Sequence, residues 1–161
     1  MGMQRRLVEI SQNTDQRVIE KCIDLLLSDP EMLYDRCDLE EFFMQEIPRK
    51  QKRGYISVFL IVEGNICKTL KGIIDIQFYF ENRLLSVPEI GFWVVPEWRR
   101  QGIASWSLQK ILKMYHQYDI FNASVTVDNY GSQALLKKNG FIIDSYDKET
   151  STYLYKWVRS E

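Results

Sequence analysis

The segment from Val94 to Ala104 constrains this chain more than any other. An apolar strand runs to Val95, turns at Pro96, passes Glu97-Trp98-Arg99-Arg100-Gln101 and enters a helix whose first residues include the small Gly102 and Ala104. With no length to spare between strand and helix, the helix N-terminus must lie against the strand's end. Free N–H groups there carry about half a positive charge, and small residues let an anion come close to them. Arg99 and Arg100 stand where guanidinium groups would strengthen phosphate binding. The segment reads as an anion cradle, with a glycine-containing loop and two solvated arginines as the alternative.

The remaining residues supply a sheet for that turn. Arg5 to Ile10 alternates as a short strand, and Thr14 or Asp15 caps a helix carrying Val18, Ile19, Cys22, Ile23 and Leu26, which stops near Ser28-Asp29-Pro30. A second amphipathic helix, Leu39 to Ile47, ends at Pro48, and Arg49 to Arg53 follows as a basic loop. Tyr55 to Val62, Gly72 to Phe80 and Leu84 to Val95 form an antiparallel meander, turned at Glu63-Gly64-Asn65 and Glu81-Asn82-Arg83. Gly102 to Tyr118 is helical, Phe121 to Val127 a strand, and Tyr130 to Lys138 a helix stopped by Asn139-Gly140. Strands Phe141 to Tyr146 and Ser151 to Val158 complete the order β-α-α-β-β-β-α-β-α-β-β. This is an α/β (α+β) chain with a mixed, mostly antiparallel sheet of about seven strands flanked by about four helices. The 161 residues suit one domain, 1–161.

Charge and cysteine usage narrow the partners. Twenty-one basic and twenty-two acidic side chains leave a net charge of -1, too little field to gather nucleic acid. Cys22, Cys37 and Cys67 form no CxxC pair, and His116 is the single histidine. That set is too sparse for zinc, so no metal is expected and the thiols read as reduced. The N-terminus MGMQRRLVEI has no apolar leader, and Gly2 lacks the Ser or Thr that myristoylation would want at Arg6. The longest apolar run, Ile56 to Val62, is too short to span a bilayer. The expectation is a cytoplasmic protein without membrane or nucleic-acid contacts.

Arg99-x-x-Gly102-x-Ala104 after Val94-x-Pro96 resembles the acetyl-CoA signature of the GNAT superfamily of N-acetyltransferases. Val127-Asp128-Asn129, then Ala134 to Phe141, resembles that family's strand-Asn-helix-Gly-Phe block, and the element order also matches. Glu89-Ile90-Gly91-Phe92-Trp93 before Pro-Glu-Trp is similar to the branch of ribosomal-protein N-terminal and spermidine acetyltransferases. The resemblance implies that acetyl-CoA is bound where the fourth strand splays from the fifth. Phe92, Trp93 and Val94 would meet the pantetheine arm. The amides of Arg100, Gln101, Gly102, Ile103 and Ala104, with Arg99 beside them, would hold the pyrophosphate. Asn129 and Ser132 would reach the cofactor from the fifth strand's end, although Asn129 also reads as a helix N-cap. Glu89 matches the family's base, which takes the proton of an ammonium directly or through water. A main-chain N–H at or near Val94 would stabilise the oxyanion.

Position 136 departs from the pattern, with Leu136 where many relatives carry a proton-donating tyrosine. Water, or a hydroxyl such as Tyr130, Ser132 or Tyr146, would then protonate the thiolate; otherwise the chain is a degenerate GNAT-fold sensor or interaction module that binds acyl-CoA without efficient transfer. From Asp29 to Glu46 there are seven acids, Asp29, Glu31, Asp35, Asp38, Glu40, Glu41 and Glu46, against one base, Arg36. Such a lip would favour a small cationic amine or a protein or peptide amine, although exposed helix faces are commonly acidic anyway. The aromatic C-terminal strands could pair across subunits, leaving a homodimer open.

Overall fold

The computed structural model describes residues 4–65 and 69–160, built on a seven-stranded sheet of order β1-β2-β3-β4-β5-β7-β6. The strands are β1 Arg5–Glu9, β2 Ile56–Glu63, β3 Leu70–Phe80, β4 Arg83–Val94, β5 Ile120–Thr126, β6 Ile142–Asp147 and β7 Thr152–Val158. Neighbouring strands are antiparallel except β4 and β5, which are parallel because a helix crosses between them. The helices are α1 Gln16–Leu27, α2 Arg36–Glu41, α3 Ile47–Lys52, α4 Ile103–Met114 and α5 Tyr130–Lys138. A π turn, Phe42–Glu46, fuses α2 and α3 into one rod, so the expected element order is recovered.

Both sheet faces are covered. On one, Leu108, Ile111 and Leu112 of α4 and Leu136 of α5 pack on Ile74, Ile76, Ile90 and Phe121. On the other, Cys22, Ile23 and Leu26 of α1 join Phe43 and Ile47 of the rod over Val58, Leu60 and Ile73. β2 lies beneath both layers, which is why its sequence is a nearly continuous apolar run rather than an alternating one. Burial pushes the Cys22 thiol up to about 12, and Cys37 is exposed. Gly2 and Cys67 lie outside the described residues.

The rod corrects one expectation. The helix does not end at Pro48 but continues to Lys52, because the π turn widens the helix just before the proline and relieves the ring's demand on the preceding turn. Arg49, Lys50 and Lys52 are therefore not in a loop; they fill the last helical turn, where cations suit the exposed carbonyls.

Asp29 ties the end of α1 to the end of β4. Its Oδ2 accepts from Trp93 Nε1 at 2.8 Å and from Arg99 Nη2 at 2.8 Å, while Arg99 Nε donates to the Val94 carbonyl at 2.9 Å. Burial alone would raise the Asp29 pKa, but hydrogen bonds from Trp93, the Glu31 N–H and Arg99 together hold it below the usual carboxylate range. Asp29→Ala strands the indole N–H and the guanidinium, and should cost about 2–3 kcal/mol of stability. Urea denaturation checks this, and an unmoved midpoint would show that the clamp contributes nothing.

Candidate active site

β4 and β5 share one residue pair, Glu89 with Asn122, and part beyond it, while β3 stays paired with β4 as far as Val94. The β5-facing edge of β4 past Glu89 therefore has no strand partner. A cleft of about 260 Å³ opens there, lined by Ile90, Gly91, Phe92, Ala123, Ser124, Val125, Thr126, Asn129 and Ser132. Phe92, Asn129 and Ser132, separated in sequence, thus come together as expected. Asn129 also caps α5, its Oδ1 accepting from the Ser132 N–H at 3.1 Å, so both readings of that residue fit its position.

The turn from β4 into α4 begins with a 3-10 turn at Pro96–Trp98. Arg100 at φ 64 and Gly102 at φ 75 then adopt the left-handed conformation, of the kind that gathers N–H groups into anion-binding concavities. Among the described residues, no hydrogen-bond partner is present for the N–H groups of Arg100, Gln101, Gly102, Ile103 and Ala104; the first helical bond runs from Trp106 to the Gly102 carbonyl. Gly102 is needed for its backbone conformation rather than for space, since a Cβ there would meet nothing within 4 Å.

Three expected contacts change character. The Arg99 guanidinium is committed to Asp29 and the Val94 carbonyl, and its N–H to the Pro96 carbonyl, so it shapes the turn instead of facing an anion. Val94 accordingly has its carbonyl already occupied. The Trp93 side chain lies on the α1 face with its indole on Asp29, away from the cleft.

On that face a second hollow, of about 550 Å³, lies between the rod, the end of α1 and the sheet. Tyr34, Phe42, Phe43, Phe92 and Trp93 give it aromatic walls, and Asp38, Glu41, Glu46 and Asp75 give it four carboxylates, with no Lys, Arg or His among its lining. The acidic segment thus divides. Asp38, Glu41 and Glu46 enter the hollow, Asp35 and Asp38 form the capping box of α2, and Asp29 turns inward to Arg99. Phe92 lines both cavities, so they adjoin at that residue.

The proton-handling candidates are spread out. Glu89 is half-buried at the last shared pair of β4 and β5, outside the lining of either cavity. Tyr130 is 76% exposed at the start of α5 and Tyr146 53% exposed on β6, whereas Ser132 alone of the three hydroxyls lines the cleft. Leu136 is fully buried in the core, so position 136 contributes packing only. His116 is exposed.

Sequence reasoning passed over Asp75. Its carboxylate sits over Gly91, where a Cβ would stand 3.0 Å from Asp75 Oδ1. It is half-buried, with one side open to the hollow. Burial raises its pKa to about 7, against a hydrogen bond from the Gly91 N–H and with help from the negative charge of Glu89. The available signal was a lone acid in the apolar run Gly72-Ile73-Ile74-Asp75-Ile76.

The acetyltransferase (GNAT) domain family matches residues 10–142, and the chain belongs to that family. It is an acetyl-CoA-dependent N-acetyltransferase. Solved structures share the fold at low identity. An acetyl transferase from Salmonella typhimurium that modifies the N-terminal serine of 50S ribosomal subunit protein L7/L12 has a TM-score of 0.78 and 19% identity, over 97% of this chain and 95% of that one. A ribosomal alpha-N-protein acetyltransferase in complex with coenzyme A gives 0.74 and 18%, over 99% and 98%. A spermidine N-acetyltransferase chimera from Vibrio cholerae and hSSAT gives 0.70 and 13%, over 96% and 95%. Among curated protein sequences none matches this chain. The unpaired edge of β4 and the partnerless amides of the α4 turn suit the pantetheine and pyrophosphate of acetyl-CoA.

An acid whose folded pKa is raised destabilises the fold as it ionises. Between the ordinary value of 3.8 and about 7 the folded state holds a proton at Asp75 that the unfolded state has lost, so stability falls across that window. The loss is about 4 kcal/mol once the pH is above 7. Asp75→Asn should remove this term, gaining stability over the wild type at pH 8 but not at pH 4; thermal melts at the two pH values check it.

Proposed function

We propose that the chain works in the cytoplasm as one domain, residues 1–161, acetylating a primary amine that arrives with positive charge. The carrying observation is the hollow itself, in which aromatic walls and four carboxylates, only Glu46 of them paired with a lysine, adjoin the cleft at Phe92. Apolar walls suit an aliphatic chain, and the carboxylates suit ammonium groups. No helix among the described residues is long and apolar enough to cross a membrane.

When bound, acetyl-CoA supplies an activated acyl group as its thioester. Around it, the amides of Arg100 to Ala104 hold the pyrophosphate, and main-chain groups of Phe92 with the Val94 N–H align the pantetheine arm. Asn129 and Ser132 close the cleft from α5. The acceptor must lose a proton before it can attack, and Glu89 is the base that the family resemblance supplies. Water, or Ser132 relaying a proton from the attacking nitrogen, protonates the thiolate, a role in which Ser132 replaces Tyr130 because of its place in the cleft. Exposed Ile142, Ile143 and Tyr146 on β6 favour a homodimer through that edge.

The candidate acceptors are small polyamines and the amino termini of basic peptides. The neighbours named for spermidine and for a ribosomal N-terminal serine make those two the first amines to test. Thiol release from acetyl-CoA should depend on the amine, and Glu89→Gln should lower turnover several-fold while leaving acetyl-CoA affinity unchanged. By calorimetry the wild type should bind acetyl-CoA in the micromolar range. Gly102→Glu, which strains a left-handed position by about 1–2 kcal/mol and brings negative charge to the amides, should lose that binding while remaining folded.

A further inference from the structure

Asp75 lacks the partner that its surroundings call for. Carboxylates drawn partly or wholly out of water are ordinarily matched by a cation or by several donors; buried Asp29, on the same side of the sheet, has both, whereas Asp75 is half-buried. Asp75 has the Gly91 N–H and, among the described residues, no cation within ion-pairing distance. Its charged and titratable neighbours are acidic or phenolic. Glu89 on β4 follows two pairs along the sheet, at Gln77↔Glu89, and Asp38, Glu41 and Glu46 of the rod face the same hollow with Tyr34. α1 and β2 contribute only Leu26 and Val58 to the lining. Glu46 has Lys50 at 3.4 Å and Asp38 caps α2, so the two carboxylates of the hollow with neither engagement are Glu41 and Asp75.

Position makes Asp75 the more telling of the two. It lies on Gly91, and Gly91 and Phe92 line the cleft in which the pantetheine arm is proposed to run. The absence of a side chain at residue 91 leaves the carboxylate uncovered at the junction of cleft and hollow. Glu41, on the rod, lies across the hollow from that junction.

We propose that Asp75 is the cation's missing partner: it receives the acceptor's ammonium group in the hollow and takes its proton, making the nitrogen nucleophilic beside the cleft. The proposal rests on the acceptor reading above and adds the residue that contacts the amine. An N–H bond of the ammonium breaks, an O–H bond forms on Asp75, and the nitrogen keeps the electron pair with which it attacks. Of the three ammonium protons, one goes to Asp75 and on to solvent, one remains in the amide and one leaves on the thiol of coenzyme A. Asp75 is then the base in place of Glu89, which lines neither cavity and whose negative charge raises the affinity of Asp75 for the proton.

The test is amine-dependent thiol release by wild type, Asp75→Asn and Glu89→Gln with spermidine, putrescine and a short basic peptide, across pH 5.5 to 9. Calorimetric acetyl-CoA binding serves as the folding control. For whichever amine the wild type uses best, Asp75→Asn should lower kcat/KM at pH 7.5 by about a hundredfold, within the range of general-base removal, with acetyl-CoA affinity unchanged. The acidic limb of the wild-type profile should disappear in Asp75→Asn and shift to lower pH in Glu89→Gln. An Asp75→Asn protein that keeps both the wild-type kcat/KM and the limb would overturn this proposal alone. A wild type that turns over none of the three amines would overturn it together with the acceptor reading.

Discussion

β4 and β5 are joined through α4, so they run parallel, and they hold each other only at Glu89 and Asn122. Past that pair the edge of β4 is left open inside the protein instead of at its rim. β3 keeps β4 straight on the other side, so the opening forms without the sheet falling apart. The same parting brings the start of α4 to the end of β4, with the amides of Arg100 to Ala104 free of helical partners. It also strands Asn122 Oδ1, a buried side-chain oxygen without a hydrogen-bond partner among the described residues, beside the pair that ends the contact. An unmatched strand edge and an unmatched helix start are costs to folding that a ligand with amide and phosphate groups can offset.

The carboxylates show how local partners decide what a charge does. Asp29 and Asp75 both lie under the helices of one sheet face. Asp29 meets an indole, an amide and a guanidinium, and its negative charge locks α1 to the exit of β4. Asp75 meets one amide and a hollow lined with further acids, so ionising it is opposed by burial and by Glu89. The first is a clamp that shapes the turn; the second is an unfilled half of an ion pair.

Much of this was legible because it is written locally. The bounds of α5, Tyr130–Lys138, follow from Asn129 at its start and Gly140, at φ 89, just past its end. The left-handed turn before α4 and the Phe92, Asn129 and Ser132 grouping follow from two motif blocks in a known order. Local rules failed where the deciding partner is distant. Pro48 ordinarily stops a helix, and only the π turn before it lets the rod run on. Arg99 looked free for an anion because Asp29, its partner, lies seventy residues away. Trp93 looked like a cleft residue until the alternation of β4 set its side chain on the α1 face. Asp75 went unremarked in its strand, since nothing nearby in sequence says that the space above it is hollow.

Hydrogen exchange of the backbone amides, with and without coenzyme A, tests the central claim that one parting of two strands makes the site. The expected result is protection in two separate places, the amides of Phe92 and Val94 on the β4 edge and the turn from Arg100 to Ala104, with little change in β1, β2 and β6. Protection confined to other elements, or none at a concentration that saturates binding, would contradict it.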